Sequence, residues 1–314
     1  MSLKRQALSS GVVTIQGVPR AGYVKGATLE LSQLSRGACT GRLLKIDTQN
    51  ATLTAGQYSQ RIGGFGNTAS GEYMLAYISK IHGVGQLNGH HLARRIWVYP
   101  EKEQIEGTLP PSTHRFTLTI NRDAFEDRLE ALGIDPALLI RIGGGRIRQT
   151  DKLPALARTL QRLNLEGQHQ TILGTSESIE ETLALSFIDA IPNPKFIQEP
   201  GTTIRPSVKK AIEFLRSVTD RPITATEICR HLNCSRRQVE LEFKNIFGMG
   251  PVSYHRAMRL NAARAQLILR EQPRNPVASA AGSHGFSHFG RFSALYKLFF
   301  GELPCRTAMR THSA

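Results

Sequence analysis

Along residues 1–120 the apolar positions come in short runs that alternate or bunch: Leu43–Asp47, Tyr73–Ile78, Arg95–Tyr99 and Arg115–Ile120. Clusters of glycine and asparagine, Gly63–Asn67 and Gly83–Gly89 among them, separate the runs and read as turns. Many short strands with glycine turns predict a β-barrel or sandwich. From Asp123 the period lengthens. Asp123–Leu132 reads as a helix stopped by Gly133. In Asp151–Leu165 the residues Leu153, Leu156, Leu160 and Leu163 recur at helical spacing, and Gly167 closes the segment. That heptad-like seam has two readings: a dimerisation interface, or a helix covering the open side of the β unit. Ser176–Ile191 forms a third helix, with Ser178 and Glu181 spaced as a capping box. Pro192, Pro194, Pro200, Gly201 and Pro206 then punctuate a stiff linker. The expected organisation is a sensing and dimerisation domain at 1–191, a linker at 192–206 and a helical domain at 207–314.

Within the last segment one small pattern occurs twice. Thr224-Ala225-Thr226-Glu227 has capping-box spacing and opens a short helix ending near His231. Leu232-Asn233-Cys234 is a turn. Ser235-Arg236-Arg237-Gln238 has the spacing of a second capping box. Val239, Phe243, Ile246 and Phe247 behind it form one apolar face, and Gly248 ends the helix. Two helices joined by a tight turn in this way form a helix-turn-helix. Further along, Tyr296-Lys297-Leu298-Phe299-Phe300-Gly301 repeats the ending of Phe243–Gly248, and Pro304 stands after it as Pro251 does after the first. Val277–Ser283 aligns with the first short helix, Gly285-Phe286 with the turn and His288–Phe300 with the second helix. Pro251–Arg270 between the copies predicts a helix of roughly 30 Å.

Charge sharpens this picture. The chain carries 40 Lys+Arg against 25 Asp+Glu, a net of +15, and residues 205–314 hold 18 of those cations but only 7 of the acids. An excess concentrated in the helical third predicts a polyanionic partner there. The helix opened by Ser235 shows Arg236, Arg237, Glu240, Leu241 and Lys244 away from its apolar stripe. In a major groove arginine pairs bidentately with guanine, a glutamate accepts from the cytosine amino group, and leucine meets a thymine methyl. The second copy presents Ser287, His288, Phe289 and Arg291. On the connector, Arg256, Arg259, Arg264 and Arg270 are candidates for phosphate contacts or for pairing with acids.

At these residues the sequence resembles the AraC/XylS family of bacterial transcription regulators, over Pro206–Arg310. The most specific stretch runs from Gly285-Phe286-Ser287 to Tyr296-Lys297-x-x-Phe300-Gly301-x-x-Pro304. Ser235…Phe243-Lys244-x-x-Phe247-Gly248-x-x-Pro251-x-x-Tyr254 and Arg259-Leu260-x-x-Ala263-Arg264 fit as well. The resemblance implies two helix-turn-helix units, promoter DNA as ligand and RNA polymerase as partner. By position, Ser235, Arg236, Arg237, Glu240, Leu241 and Lys244 take the contacting places of the first unit, and Ser287, His288, Phe289 and Arg291 those of the second. Phe289-Gly290 stands where polar residues are usual in the family, so the first unit is expected to supply most of the specificity. The β-then-helix order of residues 1–191 matches the cupin-like domain of that family by architecture.

The fold class expected is therefore α+β: an N-terminal cupin-like β-barrel with helices, then an all-α domain with two helix-turn-helix units. Function is expected to be regulation of transcription, mainly activation, by a cytoplasmic homodimer under a small-molecule effector. A rival class is a small-molecule enzyme domain fused to a DNA-binding tail, but no nucleophile elbow, phosphate loop or paired-carboxylate motif accompanies it. Four scattered cysteines form no CxxC pair and suggest neither a zinc ribbon nor a disulfide framework. His90-His91 are adjacent, point to opposite faces of a strand and make a poor metal pair. No metal, no cofactor and no membrane span are expected. The basic, glycine-rich Arg141–Arg148 reads as a loop between helices, with an anion site as its functional alternative.

Overall fold

The computed structural model describes residues 9–16, 27–92, 96–137, 145–146, 152–168, 174–191, 206–269 and 273–309. Its N-terminal half contains β1 (Ser9–Gln16), β2 (Ala27–Gln33), β3 (Thr40–Asp47), β4 (Ala51–Tyr58), β5 (Ile62–Thr68), β6 (Glu72–Lys80), β7 (Gln86–Leu87), β8 (His90–His91), β9 (Ile96–Tyr99), β10 (Gln104–Leu109), β11 (His114–Asn121) and β12 (Gly145–Arg146). A seven-stranded sheet runs β1-β3-β4-β11-β6-β9-β12, and a five-stranded sheet runs β2-β5-β10-β7-β8. This is a cupin-like double-sheet unit whose two sheets do not close into one continuous barrel. Between them pack Met74, Ala76 and Ile78 of β6, Trp97 and Tyr99 of β9, and Ala27, Leu87 and Ile105 from the smaller sheet.

One turn assignment changes and another is refined. Gly63–Asn67 lies inside β5 instead of in a turn. A Cβ on Gly66 would sit 1.7 Å from the Thr28 carbonyl oxygen of the paired strand, so the glycine answers to a close backbone approach. The Asn88-Gly89 pair joins β7 to β8, and both residues have positive φ, 43° and 82°. Those are the dihedrals that a two-residue hairpin with right-handed twist requires. On β8, His90 is buried beside Trp97 and His91 is exposed, facing opposite ways. Of Arg141–Arg148 only Gly145 and Arg146 are described; they pair with Val98 and Trp97 of β9.

The outer face of the larger sheet is covered by α1 (Arg122–Ala131), α2 (Leu153–Gln168) and α3 (Ser176–Asp189). Leu153, Leu156, Leu160 and Leu163 of α2 are all buried there, against Leu44, Ile46 and Leu53 of the sheet and Leu183 and Phe187 of α3. The packing thus matches the covering-helix reading and corrects the dimerisation reading of these four leucines. Their apolar stripe is consumed by the chain's own sheet and is not presented to a second copy. α3 is capped by Thr175, whose side chain accepts from the Ser178 N–H, one turn earlier than the Ser178–Glu181 spacing suggested.

A buried carboxylate locks these layers. Glu180 of α3 accepts from Thr48 Oγ1 at 2.9 Å, Asn50 N at 2.8 Å and Asn50 Nδ2 at 3.1 Å, and pairs with Arg128 Nη2 of α1 at 2.9 Å. Burial alone pushes its carboxyl pKa up, but the Asn50 and Thr48 hydrogen bonds and the Arg128 charge outweigh burial and hold it below the usual range. A depressed folded pKa gives stability that is present above the unfolded value of ~4.3 and lost as pH falls through the lower folded value. Glu180→Gln should therefore cost about 1–3 kcal/mol near neutrality. The melting difference from the wild type should shrink as pH drops below about 4. A difference independent of pH would contradict this assignment.

The linker expected at 192–206 lies outside the described residues except for its last, Pro206. The helical part comprises α4 (Pro206–Ser217), α5 (Ala225–Leu232), α6 (Arg236–Phe247), α7 (Pro251–Leu267), α8 (Pro276–Ser283), α9 (Phe289–Phe300) and α10 (Pro304–Met309). Phe243 and Phe247 of α6, Tyr254, Leu260 and Ala263 of α7, Ala280 and Ala281 of α8, and Phe292 and Tyr296 of α9 belong to one continuous core. Leu34, from the β unit, is part of that same core.

Candidate nucleic-acid interface

In the first unit, Thr224 caps α5 by accepting from the Glu227 N–H. The Glu227 carboxylate accepts in turn from the Thr224 N–H at 2.8 Å and from Arg221 Nη1 at 2.7 Å. The Thr224 N–H bond, foremost, and then Arg221 hold its pKa down to about 2. Asn233 then takes a left-handed conformation, φ 49°, and its N–H bonds the Cys229 carbonyl, which turns the chain. Ser235 caps α6 by accepting from the Gln238 N–H at 3.3 Å. The return half of the expected second capping box is not made among the described contacts. The Gln238 side chain reaches Glu242 Oε1 instead, at 3.3 Å, one helical turn ahead.

Val239, Phe243 and Phe247 bury one face of α6, and Ile246 is half-buried. Arg236, Arg237, Leu241 and Lys244 project from the other, with Ser235 exposed at the tip. Leu241 is 58 % exposed, a large apolar side chain with no core duty. Glu240 differs from its neighbours: it is half-buried, and its carboxylate folds against Gly250, where a Cβ would meet Oε2 at 2.3 Å. It is the member of the predicted set least free to reach a base.

The second unit repeats the scaffold with weaker capping. α8 opens on Pro276 and α9 on Phe289, both without a side-chain cap. Ser287, His288, Phe289 and Arg291 are all exposed, as is Gly290, which has open space around it. Phe289, 51 % exposed, faces an open apolar groove of about 450 Å³ shared with Val277, Cys305 and Met309. The tip of this helix therefore mixes an exposed aromatic ring with polar and cationic side chains, where that of the first is cationic. Met309 carries no signal in the sequence, since nothing in its spacing marks a single exposed methionine.

The turn of the second unit is held from behind. Arg259 of α7 is buried; its Nε and Nη2 donate to the carbonyls of His284 and Gly285 at 2.8 and 2.6 Å, and it lies over the Phe286 ring at 4.4 Å. Gly285 has φ +70°, and a Cβ there would meet the Asp220 carbonyl at 2.4 Å, so only glycine fits. Arg264 pairs with Glu302 at 2.9 Å and lies over Phe300. Arg259 and Arg264 are thus internal brackets, which corrects the phosphate reading for both. Only Arg256 of that set is exposed; Arg270 lies outside the described residues. α7 itself spans 17 residues, about 25 Å, shorter than the sequence suggested.

Both second helices end alike. Gly248 at φ 71° and Gly301 at φ 77° donate to the carbonyls of Lys244 and Lys297, and Pro251 and Pro304 start the next helices. The duplicated ending is one device used twice: a left-handed glycine stops the second helix of each unit and a proline restarts the chain in a new direction.

A model of a helix-turn-helix domain family matches residues 228–310. Among characterised proteins, the chain is similar to a probable thc operon regulatory protein of Rhodococcus erythropolis, 29 % identical over 108 residues, covering 34 % of this chain and 32 % of the relative. It is similar also to the HTH-type transcriptional regulator ArgR of Pseudomonas aeruginosa, 34 % identical over 99 residues, covering 32 % of this chain and 29 % of that protein. The match thus spans about a third of the length of these relatives. Among solved structures, a probable AraC family transcriptional regulator from Rhodopseudomonas palustris is 30 % identical, covering 33 % of this chain and 96 % of that one, with a TM-score of 0.31.

Proposed function

We propose, for a chain that belongs to the AraC/XylS family of transcription regulators, that it binds promoter DNA through α6 and α9 and activates transcription under the control of a small effector. The observation that carries this reading is the pair of exposed helix tips built on one shared core. A reading helix uses its first turns to touch base edges. Here those turns carry Arg236 and Arg237 in one unit and His288, Phe289 and Arg291 in the other, all exposed. Arg237 is the chief base reader, bidentate to guanine; Leu241 meets a thymine methyl; Lys244 and Arg256 engage phosphates. Phe289 adds an apolar contact in the second segment, while Ser287, His288 and Arg291 grip the backbone. α7, shorter than the ~34 Å repeat of the groove, favours a duplex bent toward the protein.

An effector is supported by unpartnered polar groups buried between the sheets. Trp97 Nε1 and the Tyr99 hydroxyl are fully buried there and have no hydrogen-bond partner among the described residues. Thr117 and Thr119 of β11 and Thr54 and Thr52 of β4 face the same side, since they pair across to Ala76 and Met74. Buried polar groups without protein partners suit a small molecule bearing acceptors. A homodimer, if formed, uses a surface other than the four buried leucines of α2. RNA polymerase is the natural partner of an activator, and the cytoplasm its compartment; no described helix is long and apolar enough to cross a membrane. The chain is read as a regulator and not as an enzyme.

The test is protection of a duplex selected from a random pool by the full-length chain. Two protected segments about one helical turn apart, on one face, are expected, with affinity falling steeply as salt rises. One segment only, or salt-independent binding, would contradict the two-helix reading.

A further inference from the structure

Besides Arg216 of α4, which lies over the Phe65 ring of β5 at 3.7 Å, the described contacts between the β unit and the helical part include a set, in three steps, that concerns the geometry of the reading helices. First, the segment after β2 and the turn before β5 are tied into one bracket: Leu34 N–H donates to the Arg61 carbonyl at 2.8 Å, Arg61 N–H to Ser35 Oγ at 2.8 Å, and Ser35 Oγ to Gln60 Oε1 at 2.6 Å. Second, this bracket reaches the C-terminal end of each reading helix. The Phe299 carbonyl of α9 accepts from Gln33 Nε2 at 2.7 Å and from Gly37 N–H at 3.0 Å, and Gly301 abuts Ala38, where a Cβ would meet Ala38 Cα at 2.9 Å. At the end of α6, Gly248 abuts the Arg61 guanidinium, where a Cβ would sit 3.0 Å from Nη2. Third, the connector α7 is held by a paired contact: Gln33 N–H donates to Asn261 Oδ1 at 2.9 Å, and Asn261 Nδ2 donates to the Gln33 carbonyl at 2.8 Å. Leu34 drives the bracket into the helical core.

These contacts fall on the ends of α6 and α9 away from their exposed tips. Each helix has 12 residues, about 18 Å from tip to end. The β unit therefore leaves the proposed DNA face open while it grips both helices from behind and the rod between them. We infer that the β unit acts as a gauge: by holding Gly248, Gly301 and Asn261 through one bracket, it sets the spacing and angle between the two reading heads. Gln33 and Asn261 are then positioning residues for two-segment DNA recognition, although neither touches DNA. The inference rests on the two-helix reading proposed above. It also gives the duplicated glycines a second duty, since each leaves room for the bracket as well as ending its helix.

The test uses the full-length chain and three duplexes: the selected one, the same with one base pair inserted between its two protected segments, and one retaining only the first segment. A rigid two-headed reader is sensitive to spacing, because each inserted pair advances and rotates the second segment. The wild type is expected to lose at least about 10-fold on insertion. Asn261→Ala and Gln33→Ala should each lose no more than about 3-fold, and should bind the single-segment duplex within about 2-fold of the wild type. Thermal melting checks that the variants fold; if Asn261→Ala does not, Gln33→Ala, which leaves α7 unaltered, carries the test. An insertion penalty equal to that of the wild type would overturn the gauge. So would tighter binding of all three duplexes by the variants, which would make the bracket a restraint on DNA binding. A wild type that protects only one segment would overturn the two-helix reading instead.

Discussion

Replacing Phe243 by alanine is expected to cost about 3–5 kcal/mol, the range for emptying a phenylalanine site in a packed core. Phe243 is fully buried in α6 and touches both Phe247, at 5.2 Å between ring centroids, and Tyr254 of α7, at 5.7 Å. Its loss therefore opens a void between the first unit and the connector at once. Set against a total stability of about 5–15 kcal/mol for a typical domain, this is enough to populate the unfolded helical part near physiological temperature. Thermal melting of the full-length chain should show the helical signal lost early, and DNA binding should fall on every sequence alike. Leu241→Ala on the same helix is the control. Its side chain lies outside the core, so melting should barely move. Equal destabilisation by both would mean that the apolar face of α6 is assigned wrongly.

Arg237→Ala should have the opposite signature. The side chain is exposed and has no core contact, so stability should hold. Binding to the selected duplex should weaken by about 1–3 kcal/mol, roughly 5- to 150-fold, the value of one good bidentate pair to guanine. Binding to random duplex should change far less, because one cation among many contributes little to the phosphate term. Lys244→Ala is the contrast: a smaller and uniform loss, with a shallower dependence on salt. If Arg237→Ala loses equally on selected and random DNA, the residue grips phosphate, and the base reader must be sought at Arg236 or Leu241.

The parts of this molecule that could be read from the chain were those where local chemistry decides the outcome. The caps at Thr224 and Ser235, the stops at Gly248 and Gly301 and the stripe Val239–Phe243–Phe247 need only neighbours within a turn, and each stands where its spacing puts it. The outward residues of α6 and α9 followed from those stripes, since a helix that buries one face must show the other. What could not be read depends on partners far along the chain. Leucines at helical spacing look the same whether they meet their own sheet or another subunit, and only the location of β3 and β4 behind α2 separates the two. Gly63–Asn67 has the composition of a turn, yet the glycines are there because β2 and β10 crowd β5 from both sides. The buried arginines were legible in part. Arg259 falls on the line of His255 and Ala263, four residues to either side, and both are buried. Glu240, turned toward Gly250, left no signal at all in its own segment.

The shared core of the two reading units has a consequence for how such a protein can change its preferences. Most of what makes the units stand lies inward, on corresponding positions that are aromatic in both copies, such as Phe243 with Tyr296 and Phe247 with Phe300. What is offered for selectivity lies outward, on exposed positions outside the core. Substitutions at 236, 237, 241, 289 and 291 can then be exchanged in combination almost free of folding cost, so the helical part is a natural chassis for retargeting. A library varied at those five positions, with the interior untouched, should yield mostly folded members, and the variety in what they recognise should exceed by far the variety in how firmly they hold together.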